Sequence, residues 1–210
     1  MLRWHKLLFH GSHIGGLSAL VPRVSEHGRP YVYAAENPVV AAIYLCNAVE
    51  KPYSWFPYGF AKDGVPVYHE IYPDAFHQSS SGKKGFIYEI KAYCGEGNPS
   101  CGLPHAIPFD KIRGGWVFTE AVPVSAIIEV PDAYEYLMSA AKEGRFRIAA
   151  YKDKTPAQRA WWHNAVLQDM LKLPANLADA EPGTPEYSYS SFIKNNLPEV
   201  WGEYIKKYVK

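Results

Sequence analysis

Tyr31-Val32-Tyr33-Ala34-Ala35-Glu36-Asn37-Pro38-Val39-Val40-Ala41-Ala42-Ile43-Tyr44 is the stretch that decides how this chain is read. Tyr31–Ala34 suits a short strand, since aromatic and β-branched residues pack well on a pleated surface. Asn37 then serves as a helix cap, because its side-chain oxygen can accept an N–H of the first turn. Pro38 fits the first helical position, where its missing N–H would have had no partner. The stretch therefore predicts a strand, a turn and a helix over 37–49. Tyr33 ends the strand and Tyr44 lies on the helix, while Ala34, Ala35, Ala41 and Ala42 allow the two to approach closely.

Working outward, Phe9-His10-Gly11-Ser12 closes a short apolar strand over Lys6–His10. Residues 15–30 hold three glycines and two prolines, so they read as a loop with at most a turn of helix around Gly16–Leu20. Lys51–Gly64 is a long loop containing Tyr53, Trp55, Phe56, Tyr58 and Phe60, and loops of that length in compact domains commonly serve as lids. Val65–Tyr72, Gly85–Tyr93, Gly115–Glu120 and Ala126–Val130 read as strands, with loop between Tyr93 and Pro108. A helix follows from Asp132 as cap to Lys142, then a short strand at Phe146–Ala149. Thr155-Pro156 opens a helix to about Leu173. Pro174–Tyr189 reads as a linker, and Ser190–Val209 as helix broken at Pro198. The fold class expected is α+β, with one mixed domain over 1–150 and a helical extension over 151–210.

The composition narrows the partners. Hydrophobic residues make up 48% and charged residues 20% of the 210, which suits a chain that buries a full core. With 22 basic and 21 acidic side chains the net charge is +1, so no electrostatic argument for nucleic acid or a membrane surface follows. Aromatic residues reach 15%, and rings in the core account for that more simply than a stacking pocket. Three cysteines, Cys46, Cys94 and Cys101, leave one unpaired in any arrangement. The spacing permits a Cys94–Cys101 disulfide, though a reduced protein is the simpler reading. The N-terminal residues hold no apolar run of signal-peptide length, so a cytoplasmic location is expected, with export by another route left open. His5, His10 and His13 have no carboxylate or cysteine at a matching spacing, and no metal is expected. Trp161-Trp162-His163 reads as the buried face of a helix.

Taken in order, the His10-Gly11-Ser12 strand and the Tyr33 strand with its Tyr44 helix resemble the opening motifs of the ADP-ribosyltransferase fold. The likeness is to its His-Tyr-Glu branch, that of diphtheria toxin and the poly(ADP-ribose) polymerases. The resemblance implies a split β-sheet core with flanking helices that binds NAD as substrate and breaks its bond to nicotinamide. It implies that Tyr33 and Tyr44 hold the nicotinamide ring, and that Gly11, lacking a Cβ, admits the ligand next to the backbone. His10 would bond a ribose hydroxyl and Ser12 add a contact. A late glutamate would favour the oxocarbenium-like sugar, the same electronic problem that a glycosidase solves. Glu120, after Trp116-Val117-Phe118-Thr119, matches that role best, and Glu129 is the second candidate. Related sequences often carry their glutamate just before the aromatic strand residue, where this chain has Gly114-Gly115.

Three activities follow as expectations from the resemblance. The first is a mono-ADP-ribosyltransferase, or an NAD glycohydrolase when water is the acceptor. The second is an inactive binding or interaction module on the same fold. The third is an RNA 2′-phosphotransferase, whose late strand is similar to Trp116–Pro123. The acceptor stays unnamed. Because the branch includes toxins, an immunity or antitoxin protein is a candidate partner.

Overall fold

The computed structural model describes residues 4–24, 28–46, 58–70, 72–96, 101–111, 114–171 and 177–208. In chain order the elements are β1 (His5–Ser12), β2 (Ala19–Leu20), β3 (Arg23–Val24), β4 (Pro30–Ala35), α1 (Pro38–Ile43), β5 (Tyr58–Phe60), β6 (Pro66–His69) and α2 (Ala75–Ser80). There follow β7 (Gly85–Tyr93), β8 (Ile107–Asp110), β9 (Gly115–Phe118), β10 (Val122–Pro123), β11 (Ala126–Val130), α3 (Ala133–Lys142), β12 (Arg147–Ala149), α4 (Pro156–Met170), α5 (Pro185–Asn196) and α6 (Pro198–Tyr208). The fold is mixed α+β. The main sheet runs β11-β7-β1-β4-β9-β8, all neighbours antiparallel, with β3 also on β4. A second sheet, β12-β6-β5, carries a parallel β12–β6 pair, and β10 pairs β2.

Alternation along the strands sends successive side chains to opposite faces of the main sheet. Leu8, Val32, Ala34, Tyr88, Ile90 and Phe118 fill one face, which Leu20 and Val122 cover. On this side the buried Tyr88 hydroxyl donates to the Ile14 carbonyl at 2.5 Å, so the loop after β1 satisfies a polar group that would otherwise be costly to bury. Ala35 and Ile87 belong to the other core, with Val39, Ala42 and Ile43 of α1, Tyr68 of β6, Phe76 of α2, Leu137 of α3, and Phe146. A third core, joining α4, α5 and α6, includes Val166, Met170, Leu177, Tyr189, Ile193, Leu197, Val200 and Tyr204. Phe192 of α5 meets the Tyr72 ring at 4.8 Å.

Several expectations need correction. The helix after Asn37 ends at Ile43, because Leu45 and Cys46 bond three residues back, to the Ala42 and Ile43 carbonyls, which tightens the turn. Residues 47–49 lie outside the description. The loop expected over 15–30, with at most a turn of helix around Gly16–Leu20, instead holds a short strand in which Ala19 and Leu20 pair with Pro123 and Val122. Of the aromatic stretch 51–64, residues 51–57 fall outside the description, so the expected lid does too. Tyr58–Phe60 is a strand, since the Lys62-Asp63-Gly64 turn folds it back onto Pro66–Tyr68. Gly64 adopts φ +80° there, a left-handed conformation that glycine reaches without the steric cost of a Cβ. The helix placed at Ser190 starts at Pro185, capped by Thr184 accepting from Tyr187 N–H. Cys46, Cys94 and Cys101 are free thiols.

Candidate functional site

β1 and β4 share a short ladder, in which Phe9 opposes Ala35. β1 pairs β7 far more extensively, over all eight positions from His5 to Ser12. Just beyond Phe9 the His10 ring takes over from the ladder, with Nδ1 2.7 Å from the Tyr33 carbonyl oxygen. A carbonyl only accepts, so Nδ1 carries the proton and donates. Burial holds the His10 pKa below its usual value, opposed in part by this hydrogen bond. A neutral ring protonated at Nδ1 leaves a lone pair on Nε2. Among the described residues Nε2 has no hydrogen-bond partner. It can therefore accept an O–H from a ligand.

Gly11 positions the helix. A Cβ there would lie 2.1 Å from the Ala41 carbonyl oxygen of α1. The space expected to admit a ligand is thus filled by helix backbone, and the glycine's service is to let α1 lie against β1. Asn37 Oδ1 accepts from Val39 N–H at 2.9 Å, which fixes where that helix begins. Ser12 Oγ accepts from Ile14 N–H at 3.1 Å and closes the turn after β1. The Tyr33 ring stands edge-on to Phe109 of β8 at 5.4 Å and to Tyr31 at 5.9 Å. Tyr44, at the C-cap of α1, is 46% exposed, with its ring edge-on to Tyr58 at 6.4 Å. The fold thus joins His10 to Tyr33 and Gly11 to the helix that bears Tyr44.

The carboxylates are less closely gathered. Glu120 is exposed, two residues past the end of β9, and makes no hydrogen bond or ion pair among the described residues. Since Phe118 opposes Val32, Glu120 falls toward the Pro30 end of β4. His10 meets β4 at Tyr33, three residues or about 10 Å of strand away. Glu129 is also exposed, on the edge strand β11 opposite Phe86, which in turn opposes Ser12. Two strand spacings, about 10 Å, separate Glu129 from Ser12 on one sheet face.

A carboxylate that the sequence reading did not single out, Glu36, lies beside Gly114. Glu36, just past β4, accepts from Trp116 Nε1 at 2.8 Å and pairs with the Lys6 ammonium, which lies 5.1 Å from the Trp116 ring centre. Its backbone N–H bonds the Gly114 carbonyl at 3.0 Å. The trio ties β1, β4 and β9 together. Glu36 stands 30 positions from Lys6 and 80 from Trp116, too far for any local pattern to show.

A cavity of about 630 Å³ opens on the second sheet, lined by Tyr58, His69, Lys154, Trp161 and Trp162 among others. None of the residues singled out for NAD lines it, although Tyr58 also touches the Tyr44 ring. Trp161 is 62% exposed, which corrects its placement on a buried helix face, and Trp162 and His163 are half-buried. The cause is that α4 packs inward through Val166 and Met170, leaving the 161 position on the outer side. Among the described residues no three His, Cys, Asp or Glu side chains gather as a metal site requires, and no helix is long and apolar enough to cross a membrane. No protein-family model matches the chain, and no curated protein or solved structure matches it.

Proposed function

We propose that this chain binds NAD and breaks its bond to nicotinamide, as an ADP-ribosyltransferase or, with water as acceptor, an NAD glycohydrolase. The observation that carries the reading is the junction of His10 and Tyr33 where the ladder between β1 and β4 ends. In this reading that junction is the split of an ADP-ribosyltransferase-like sheet. His10 accepts a ribose hydroxyl at Nε2, and its Nδ1–H bond to Tyr33 holds the ring in the tautomer that can do so. Tyr33 and Tyr44 supply aromatic faces for the nicotinamide, and Gly11 brings the helix of Tyr44 close. Glu120 is the group assigned to the developing positive charge on the sugar, which its carboxylate would favour more in the transition state than in the ground state.

A second reading is favoured by one specific observation, the exposure of Glu120 without an orienting partner among the described residues. A carboxylate left free in water contributes little preorganised stabilisation. On that basis the fold would serve as an NAD-binding or interaction module without turnover. Nicotinamide release from NAD, measured for the wild type and for Glu120→Gln, separates the two. The enzyme reading expects release by the wild type and a loss of about 10²-fold or more in the variant, with NAD affinity nearly unchanged. NAD binding without release by either protein supports the module, and the absence of both binding and release removes NAD from the account.

A further inference from the structure

The cavity on the second sheet has the makings of a binding site of its own. Its volume, about 630 Å³, falls within the range of small-molecule sites. The floor is β12 and its continuation, Ile148 to Ala150, and one wall is α4. Lys154, only 7% exposed, lines it. The ammonium donates one hydrogen bond, to the Ala149 carbonyl at 3.2 Å, and stands 5.6 Å from the Trp162 ring centre. An ammonium has three N–H donors, and among the described residues the other two have no hydrogen-bond partner. Glu70 accepts no hydrogen bond from it: its carboxylate oxygens accept from Phe76 N–H at 3.2 Å and Tyr151 N–H at 3.0 Å, and its charge favours the ammonium only through space. A buried cation with idle donors facing an open cavity is costly by itself and is relieved by an anion.

The aromatic wall says what the anion is attached to. Trp161 and Trp162 meet at 4.7 Å with planes 78° apart, which makes a right-angled corner. A flat ring placed there stacks on one indole and presents its edge to the other, the two favoured aromatic geometries. Trp161 is 62% exposed, so a large apolar surface is left in water that a ligand ring would cover. Asp153 also lines the cavity, but it is exposed, so solvent screens its charge more than that of the buried Lys154.

We propose that this cavity binds a planar aromatic anion, with its ring in the corner of Trp161 and Trp162 and its anionic group on the Lys154 ammonium. The site is separate from the NAD reading and does not depend on it. The probes are naphthalene-2-carboxylate and its neutral counterpart naphthalene-2-carboxamide, titrated calorimetrically into the full chain. The wild type is expected to bind the carboxylate saturably at one site, about tenfold or more tighter than the amide. Lys154→Met removes that preference, and Lys154→Arg keeps it. Trp161→Ala weakens both probes by about tenfold, as loss of a stacking face should. Tyr33→Ala changes neither. Because Trp161 is exposed, its truncation spares the core, so this arm stands even if Lys154→Met does not fold. Saturable binding absent up to about 5 mM, equal affinity for acid and amide, or unchanged affinity in Trp161→Ala would each overturn the proposal.

Discussion

His10 and Gly11 are adjacent, yet each answers to a different neighbour. Gly11 answers to sterics: any Cβ would sit 2.1 Å from the backbone oxygen of Ala41, which cannot move without shifting α1. Gly11→Ala is therefore expected to destabilise the fold by about 1–3 kcal/mol or more, measured by urea denaturation. A variant as stable as the wild type would mean that α1 does not lie this close. His10 answers to burial, which sets its pKa below 6.5, the value of the unfolded chain. On acidification the unfolded state then takes up the proton first. This contribution to stability is complete above about pH 6.5 and is lost as the pH falls below it. His69 is lowered in the same direction, by burial and then by the Lys154 charge, and adds to the effect. His10→Asn can keep the donor to the Tyr33 carbonyl without titrating. Its melting temperature should fall less between pH 7.5 and 5.5 than that of the wild type, and parallel profiles would detach His10 from the acid response. The strands that carry His10 and Tyr33 are legible in the sequence, since both have the apolar and aromatic residues that suit a pleated surface. The roles of Glu36 and Lys154 are not, since what gives each its surroundings lies in another element, and the exposure of Trp161 follows from how α4 packs.

Capping chemistry is local, and elements that begin with it are legible in the chain. Asp132 is the clearest: Oδ1 accepts from Tyr134 N–H at 2.8 Å and Glu135 N–H at 3.2 Å. Its Oδ2 accepts from Gly82 N–H at 2.8 Å, so one side chain caps α3 and also secures the turn into β7. Asp132→Ala removes all three bonds and should cost about 2 kcal/mol, at the upper end for a cap. Asp132→Asn, which retains acceptor capacity at one oxygen, should recover about half of that. Equal losses in the two variants would place the effect on the charge rather than the cap. Elements without such marks escaped the sequence. α2 starts after Asp74, whose φ is +65°, with no side-chain cap to announce it. β8 contains Pro108, which reads as loop, but β8 is an edge strand, where a missing N–H can face solvent. For α5 the mark was present in Thr184-Pro185, and the surrounding Pro, Gly and Ala masked it.

At the scale of the molecule, the distribution of cores decides how the protein comes apart. Two cores flank the main sheet and draw on residues from Leu8 to Phe146, while the third draws on residues from Val166 to Tyr204. The third has its own polar closure as well, since the Tyr204 hydroxyl accepts from Leu177 N–H at 3.1 Å. Among the described residues, the helical end meets the rest through the Phe192 and Tyr72 rings, the Trp162 and His69 rings at 5.7 Å, the Tyr151 N–H on Glu70 and the Lys154 ammonium on the Ala149 carbonyl. Cooperative units follow contiguous apolar cores, so the helical end should open separately from the sheet. Ile193 is fully buried at the centre of the third core. Ile193→Ala should cost that unit about 2–5 kcal/mol. Amide exchange in the folded protein reads the result directly. Protection in α4, α5 and α6 should fall by the full cost, while protection in β1 and β7 stays at the wild-type level. Equal loss of protection across β1, β7 and α5 would show instead that the three cores unfold as one, and that the contacts between them couple as strongly as the cores themselves.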